Sequence, residues 1–221
     1  MPVRRLLLLA LATLVTSAAD AQIIRRPGMP FQEPTTFVSF GVGHLQSWSV
    51  HDDRTGSSST WEFGDATQFN AALEYSFGAG VTLGVTGTTA RVPLHYSSVE
   101  GGDVFYQTDA DARVSQVMGT LHLSSGGQFH TVLELSSGAT LYSEFKARGT
   151  GVTIGPPSMD ADFAYGFGYG AGYNFTPRFS LDVVQNQITS LHQKTGLSAG
   201  TPTSARLTST RIMARFGLGA H

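Results

Sequence analysis

The chain has 221 residues, a formal net charge of −2, only 14% charged residues, 26 glycines and no cysteine. The near-neutral charge, without a basic run, argues against nucleic-acid binding, and the missing cysteines exclude a disulfide framework, thiol catalysis and cysteine-based zinc sites. The length fits one domain, and no segment beyond the N-terminus has the roughly 18 consecutive apolar residues of a membrane-spanning helix.

The N-terminus has the pattern of a secretory signal peptide. Two arginines precede an apolar run over residues 6–15, and small residues then lead to an A-x-A site formed by Ala19 and Ala21. This pattern predicts cleavage before Gln22 and export of the mature chain. The apolar run is about half as long as the roughly 20 residues that a spanning helix requires. Residues 1–21 are therefore assigned as a signal peptide and not as a membrane anchor.

Residues 22–35 contain several prolines and are expected to form an unstructured periplasmic lead-in, and residues 36–221 are assigned to a single barrel domain. The first predicted strand, residues 36–50, alternates imperfectly. Five apolar side chains share one face, but His44 and Gln46 fall on that face too. A bulge or a change of register within this strand is therefore left open.

Alternation of apolar and polar side chains predicts seven further strands. In the second strand, for example, Phe69, Leu73 and Tyr75 alternate with Asn70 and Glu74. One face of each strand is thus apolar and the other is mostly polar. The seven predicted strands cover residues 66–77, 81–92, 109–124, 129–145, 163–175, 179–191 and 206–219.

The strand over residues 163–175 has two very different faces. Aromatic rings occupy nearly every odd position, and glycine, alanine or asparagine occupies every even one. A water-soluble sandwich would turn the rings inward and a polar face outward, but glycine offers water no polar side chain. In a narrow barrel in lipid, the rings face hydrocarbon and the glycines leave room for side chains from other strands. At about 3.3 Å per residue and a tilt of about 45°, the strand is long enough to cross a hydrocarbon core of about 30 Å.

The predicted connections alternate between short and long. Short turns follow the second, fourth and sixth strands, as expected for an even up-and-down barrel whose termini lie on the side of the short turns. The sequence therefore predicts an all-β, eight-stranded antiparallel up-and-down transmembrane β-barrel with periplasmic turns and extracellular loops. The predicted long loops cover residues 51–65, 93–108, 146–160 and 192–205.

Three acidic and three basic side chains are assigned to the lumen. Arg113 is placed there opposite the apolar Val117, with Gln116 as an exception to the alternation. Eight strands enclose only enough space for side chains, and an unpaired buried charge costs several kcal/mol. The sequence therefore predicts a closed polar core of ion pairs, with a gated small pore as the alternative. The predicted network consists of Glu74, Arg113, Glu134, Asp182, Arg211 and Arg215.

A catalytic role is the other alternative. His95 and Ser97 form a His-x-Ser motif at the base of a predicted extracellular loop. Nucleophilic catalysis requires a base within hydrogen-bond reach of the nucleophile, which so short a motif does not establish. The expected protein is not an enzyme, and no catalytic, cofactor-binding or metal-binding residue is assigned.

These features resemble the small eight-stranded outer-membrane barrels formed by the transmembrane domain of outer-membrane protein A, by the OmpX and Ail adhesins and by opacity-like proteins. The resemblance covers residues 36–219 and rests on the signal peptide, the strand count, the loop asymmetry and the glycine-aromatic stretch ending at residues 170–177. Residues 211–218 resemble the last-strand signal that the barrel-assembly machinery recognises.

The resemblance implies a monomer in the bacterial outer membrane, in contact with outer-membrane lipid and lipopolysaccharide and without a cofactor. It also implies that the extracellular loops act in surface interaction, adhesion or envelope integrity. A lipid A-modifying enzyme or a small gated pore remains the alternative function.

Overall fold

A computed structural model describes residues 34–54, 57–153, 160–192 and 203–219. The predicted signal peptide, its cleavage site and most of the predicted lead-in lie outside these residues, as do parts of the predicted loops 146–160 and 192–205. The regular secondary structure of the described residues consists of β-strands. Among them, no helix is long and apolar enough to cross a membrane.

Eight of the ten antiparallel strands in the described part of the chain close into a barrel, which confirms the predicted architecture. The ring runs β1, β4, β5, β6, β7, β8, β9, β10 and back to β1. Tight connections join β4 to β5, β6 to β7 and β8 to β9, and we call this end of the barrel the short-turn end. The strands are β1 (Thr36–Leu45), β2 (Trp48–Arg54), β3 (Ser57–Phe63), β4 (Ala66–Gly78), β5 (Val81–Glu100), β6 (Asp103–Ser124), β7 (Phe129–Ala147), β8 (Asp160–Thr176), β9 (Phe179–His192) and β10 (Thr203–Leu218).

The strands β2 and β3 prolong β1 and β4 into one long hairpin. The pairing register of β1 with β4 continues unchanged in β2 with β3, across a break of two residues in each strand. At the break, the Asp65 carboxylate accepts the backbone N–H of Ser47 at 2.6 Å, which satisfies a donor that lacks a ladder partner. Most of the predicted loop over residues 51–65 is therefore strand, and that loop prediction is wrong.

The break also reverses which side chains face inward. Phe40 and Val42 point outward, with Phe40 57% exposed, whereas Leu45 and Trp48 are both buried inside. Leu45 and Trp48 are three residues apart, so in an uninterrupted strand they would lie on opposite faces. The irregularity that His44 and Gln46 left open is thus present, but it reverses the facing of the side chains and leaves the pairing register unchanged.

The longest hairpin joins β5 to β6. Its turn consists of Gly101 and Gly102, which both have a positive φ, and its pairing continues as far as Glu100 with Asp103. The predicted loop over residues 93–108 is therefore wrong, because both strands run through it.

Along β5 as far as Leu94, even-numbered side chains point inward throughout, but the apolar residues change from the outward face to the inward face. Near the short-turn end, Leu83 and Val85 face outward and Thr86 is buried inside. Further along, Val92 and Leu94 are buried inside, and the outward positions around them include the polar Arg91 and His95. The part of the barrel with an apolar outer belt is called the membrane section below. The strands β2 and β3, with residues 92–100 of β5 and 103–112 of β6, are called the projecting sheet.

Candidate functional site

An ion pair between Arg215 and Glu74 lies inside the membrane section. Arg215 Nη2 and Nε lie 2.7 and 2.9 Å from Glu74 Oε2. The Thr82 hydroxyl donates to the same oxygen at 3.3 Å, and the Arg215 guanidinium carbon lies 3.7 Å from the centre of the Phe37 ring. The carboxylate and the guanidinium thus compensate each other in a space closed to bulk water.

Two further acids inside the membrane section each have a histidine partner. The Glu134 carboxylate accepts a hydrogen bond from Arg211 Nη2 and lies 3.2 Å from His122 Nδ1. Asp182 Oδ1 lies 2.9 Å from His130 Nε2. All five side chains are buried. His122 and His130 occupy inward positions of β6 and β7, but the alternation of these strands alone does not show that the two histidines contact these acids.

Five of the six predicted lumen charges lie inside the barrel, but Arg113 does not. Its side chain is 49% exposed and lies 3.2 Å from Glu144 on the outer surface. Arg113 and Val117 are four residues apart in one strand, so they share the outer face. Gln116 is buried inside and is no exception to the alternation. The assignment of Arg113 to the lumen is therefore wrong.

A bulge in β7 explains why Glu144 also lies outside. Glu144 has a φ of 52°, and the pairing of β6 with β7 shifts register beside it. An extra residue in one strand of an antiparallel pair reverses the alternation beyond it. Phe145 is consequently buried inside the barrel, whereas simple alternation predicted Phe145 outside and Glu144 inside.

The glycine face of β8 provides clearance for the buried acids. A Cβ atom on Gly172 would collide with Asp182 Oδ1 and with His130 Nε2. A Cβ atom on Gly168 would lie 3.2 Å from Glu134 Oε2. The absence of side chains at these positions thus leaves room for the buried Asp182–His130 pair and for Glu134 against the β8 backbone.

A chain of neutral polar side chains crosses the lumen beyond the ion pairs. Gln68 Nε2 donates to Thr88 Oγ1 at 3.1 Å, Thr88 donates to Gln116 Oε1 at 3.2 Å, and Gln116 Nε2 donates to Thr140 Oγ1 at 3.3 Å. All four side chains are buried. This chain ties four neighbouring strands together without leaving a charge unpaired.

An apolar cluster, which we call the apolar cap, closes the barrel where the projecting sheet begins. The rings of Trp48 and Phe63 stack at 4.5 Å, and Tyr142 lies 6.1 Å from Phe63. Val92 and Leu94 of β5 belong to the same cluster and are almost completely buried. Large side chains thus fill the lumen at this level.

The interior and the outer surface each contain a cavity. A cavity of about 10 Å³, lined by Glu74, Glu134 and Arg211 among others, lies within the ion-pair network. This is about the space that a single water molecule needs. A depression of about 570 Å³ lies on the outward face of the projecting sheet and includes His95 and Asp109. The interior cavity is far too small to act as a passage for solutes.

The depression contains a histidine–carboxylate pair without an assembled nucleophile. His95 Nδ1 lies 2.6 Å from Asp109 Oδ1, and His95 Nε2 lies 2.9 Å from Gln107 Nε2. Among the described residues, no hydrogen bond joins His95 to Ser97, so their motif does not form a base–nucleophile pair. Within the same residues, no group of three or more histidine or acidic side chains is arranged to hold a metal ion.

No family model and no curated protein matches this sequence. Solved structures match in fold. Neisserial surface protein A aligns with a TM-score of 0.56 and 12% identity over 83% of this chain and 97% of that one. Outer membrane protein OprG from Pseudomonas aeruginosa aligns with a TM-score of 0.51 and 13% identity over 86% of this chain and 98% of that one. Outer membrane protease OmpT from Escherichia coli aligns with a TM-score of 0.50 and 10% identity over 87% of this chain and 99% of that one. At these identities the likeness concerns the fold alone, and the fold is that of small outer-membrane β-barrels.

Proposed function

We propose that the protein is a non-enzymatic barrel of the bacterial outer membrane, exported through a cleaved signal peptide. In this proposal it presents the projecting sheet at the cell surface for contact with other cells, surfaces or envelope components. The short-turn end then faces the periplasm, as expected for outer-membrane barrels. The observation that carries the proposal is the four-stranded sheet, which continues beyond the apolar belt with a polar outer face.

Aromatic contacts hold the projecting sheet against the wall of the barrel. Trp61 packs against Tyr96 at 4.4 Å and against Phe145 at 6.0 Å. These rings connect β3, β5 and β7 just above the apolar cap. A rigid element displayed on a stable scaffold is the usual arrangement of a recognition surface.

The edge strand of the sheet, β2, lies beside the first residues of β10. β2 pairs with β3 along its length, and on its other side the described residues provide no strand ladder. Near the base of this edge, Gln46 N–H donates to the Thr208 carbonyl at 2.9 Å. β10 therefore flanks this edge and connects the projecting sheet to the wall of the barrel.

Shortening the long hairpin tests the proposed surface role. Tyr96 and Thr108 pair directly across it, so residues 97–107 can be replaced by an Asn-Gly turn that suits a two-residue hairpin. We expect cells with the shortened protein to lose adhesion and aggregation, while unheated protein still migrates as a folded barrel in dodecyl sulfate gels. Undiminished adhesion with a folded barrel would contradict the surface role, and wild-type protein in the soluble periplasmic fraction would contradict the location.

The closed interior favours a packed barrel over a small pore. The cavity of about 10 Å³ and the apolar cap both support this proposal. In planar bilayers we expect no steady single-channel openings from the purified protein. Regular openings would favour the pore instead.

The His95–Asp109 pair supports one second candidate, a lipid-modifying enzyme. A carboxylate 2.6 Å from the ring can orient a histidine as a base, and the pair lies just above the apolar belt. Mass spectrometry of lipid A from cells with and without the protein tests this function. A changed acylation or phosphorylation pattern that His95→Gln abolishes would favour the enzyme, whereas an unchanged pattern favours the surface role.

A further inference from the structure

Two arginines lie directly opposite each other on the outer surface of the barrel. Arg91 of β5 pairs in register with Arg113 of β6, and both residues are exposed. Directly opposed residues of an antiparallel pair have Cβ atoms about 4.5–5.5 Å apart, where like charges destabilise the sheet. An anion bound between the two guanidinium groups would remove this repulsion.

The arginines occupy the first row above the apolar belt. The row below them contains Thr89 opposite Ser115, and these two are flanked by Phe69 on β4 and Leu141 on β7. The hydroxyl groups of Thr89 and Ser115 lie 3.0 Å apart. One step along tilted strands corresponds to about 5 Å of depth, so the guanidinium groups lie at the level of lipid headgroups.

The charges around this pair leave a cationic surface. Arg113 contacts Glu144, but Arg91 has no carboxylate partner among the described residues. In the next row, Arg148 Nη2 lies 2.8 Å from Asp111 Oδ1, and Asp111 pairs in register with Lys146. Four cations thus face two carboxylates in these rows. Of the further acids on this face, Asp65 beside Pro93 contacts His44, and Asp109 contacts His95.

We propose that Arg91 and Arg113 form a binding site for the phosphate group of an outer-leaflet lipid, with the Thr89 and Ser115 hydroxyls as additional donors. Guanidinium groups bind phosphate through paired hydrogen bonds. The apolar belt below these hydroxyls, which includes Val117 and Val85, contacts the acyl chains of the same lipid. Acyl-chain contact distinguishes a lipid phosphate from free phosphate, although both offer the same oxygen atoms.

The inference rests on the outer-membrane location proposed above, but its test does not depend on surface interaction. The folded full chain is placed in uncharged detergent, and its thermal unfolding is followed with increasing diphosphoryl lipid A, because a ligand of the folded state raises the melting temperature. Dephosphorylated lipid A and inorganic phosphate are the comparison probes. We expect R91Q/R113Q to weaken diphosphoryl lipid A binding at least about tenfold, since hydrogen bonds to charged groups are lost.

Arg206→Gln is the matched control, because Arg206 is an exposed arginine on β10 opposite Thr189. We expect it to leave lipid A binding unchanged. R91K/R113K retains the charge without the planar guanidinium and is expected to bind with intermediate affinity. Without lipid, R91Q/R113Q is expected to be at least as stable as the wild type, because the opposed charges are gone.

Equal lipid A affinity in the wild type and R91Q/R113Q overturns the site, as does an equal loss in R206Q. Equal stabilisation by dephosphorylated lipid A also overturns it. Displacement of lipid A by millimolar inorganic phosphate would assign the arginines to a soluble anion and overturn the lipid assignment. A failure of the proposed location appears separately, as wild-type protein outside the outer-membrane fraction.

Discussion

The interior of the membrane section and the interior of the projecting sheet are built from opposite kinds of side chain. In the membrane section, buried charges such as Glu134 and Arg211 form pairs, while the outer surface is apolar. In the projecting sheet, Leu94 and Trp48 are buried, while outward residues such as His95 are polar. The same strands and the same alternation produce both arrangements.

This difference shows that the surroundings decide which face of a strand carries apolar residues. Where water surrounds the sheet, burial of apolar area stabilises the fold. Where hydrocarbon surrounds it, apolar side chains gain little by facing inward, and the lumen can hold polar groups that satisfy one another. The exchange along β5, between Thr86 and Val92, therefore marks where the strand leaves the bilayer.

The largest expected effect comes from breaking the buried ion pair in the membrane section. Glu134→Ala leaves the Arg211 charge buried without its partner, which is expected to lower the free energy of unfolding by about 3–5 kcal/mol. Denaturant unfolding of the protein in lipid vesicles measures this change. The double variant E134A/R211A should lose much less than the sum of the two single variants, and additive losses would show that the pair is not coupled.

A truncation in the apolar cap should cost almost as much. Leu94→Ala removes a side chain that is 2% exposed, and such substitutions cost about 2–5 kcal/mol. The same unfolding experiment measures it. Leu83→Ala, on the outward face of the same strand, is the control and is expected to cost clearly less; equal losses would contradict the assigned faces.

Two arginine substitutions on β5 test where the bilayer ends. Val85→Arg places a charge on the apolar belt and is expected to cost about 2–4 kcal/mol if it lies near the midplane. His95→Arg, on the same face but in the projecting sheet, should cost less than about 1 kcal/mol. Unfolding of both variants in vesicles compares them, and a similar cost at the two positions would move the boundary.

The smallest effect is expected at the glycines of the membrane section. Gly172→Ala brings a Cβ atom against Asp182 and His130, and overpacking of this kind costs about 1–3 kcal/mol. Gly87→Ala is the matched control, because a Cβ atom there meets nothing within 4 Å. If both variants unfold at the same denaturant concentration, clearance for Asp182 and His130 is not the reason for glycine at this position.

Much of the fold could be predicted from the sequence because alternation is a local property. Strands that alternate cleanly, such as β4 and β8, have the predicted faces, and so do Glu74 and Glu134. Strict counting along β6 would also have placed Arg113 outside, because it shares its parity with Val117. The alternation of β6 is therefore sufficient to place Arg113 on the outer face.

Other features require the neighbouring strands. The break before Trp48 and the bulge at Glu144 reverse the alternation, and a strand read alone does not reveal where an extra residue is inserted. The polarity exchange in β5 looks like the end of a strand when it is read locally, which is why residues 93–108 were predicted as a loop.

Alternation along the chain thus specified a barrel of eight wall strands, its apolar belt and most of its inward charges, because side chains of a strand alternate between two faces regardless of their partners. Which inward charge meets which partner was decided by strand pairing. Residues from distant parts of the chain, such as Glu74 and Arg215 or His130 and Asp182, become neighbours only when the barrel closes with one particular register. By contrast, the β5–β6 hairpin by itself brings Arg91 and Arg113 together on the outer surface.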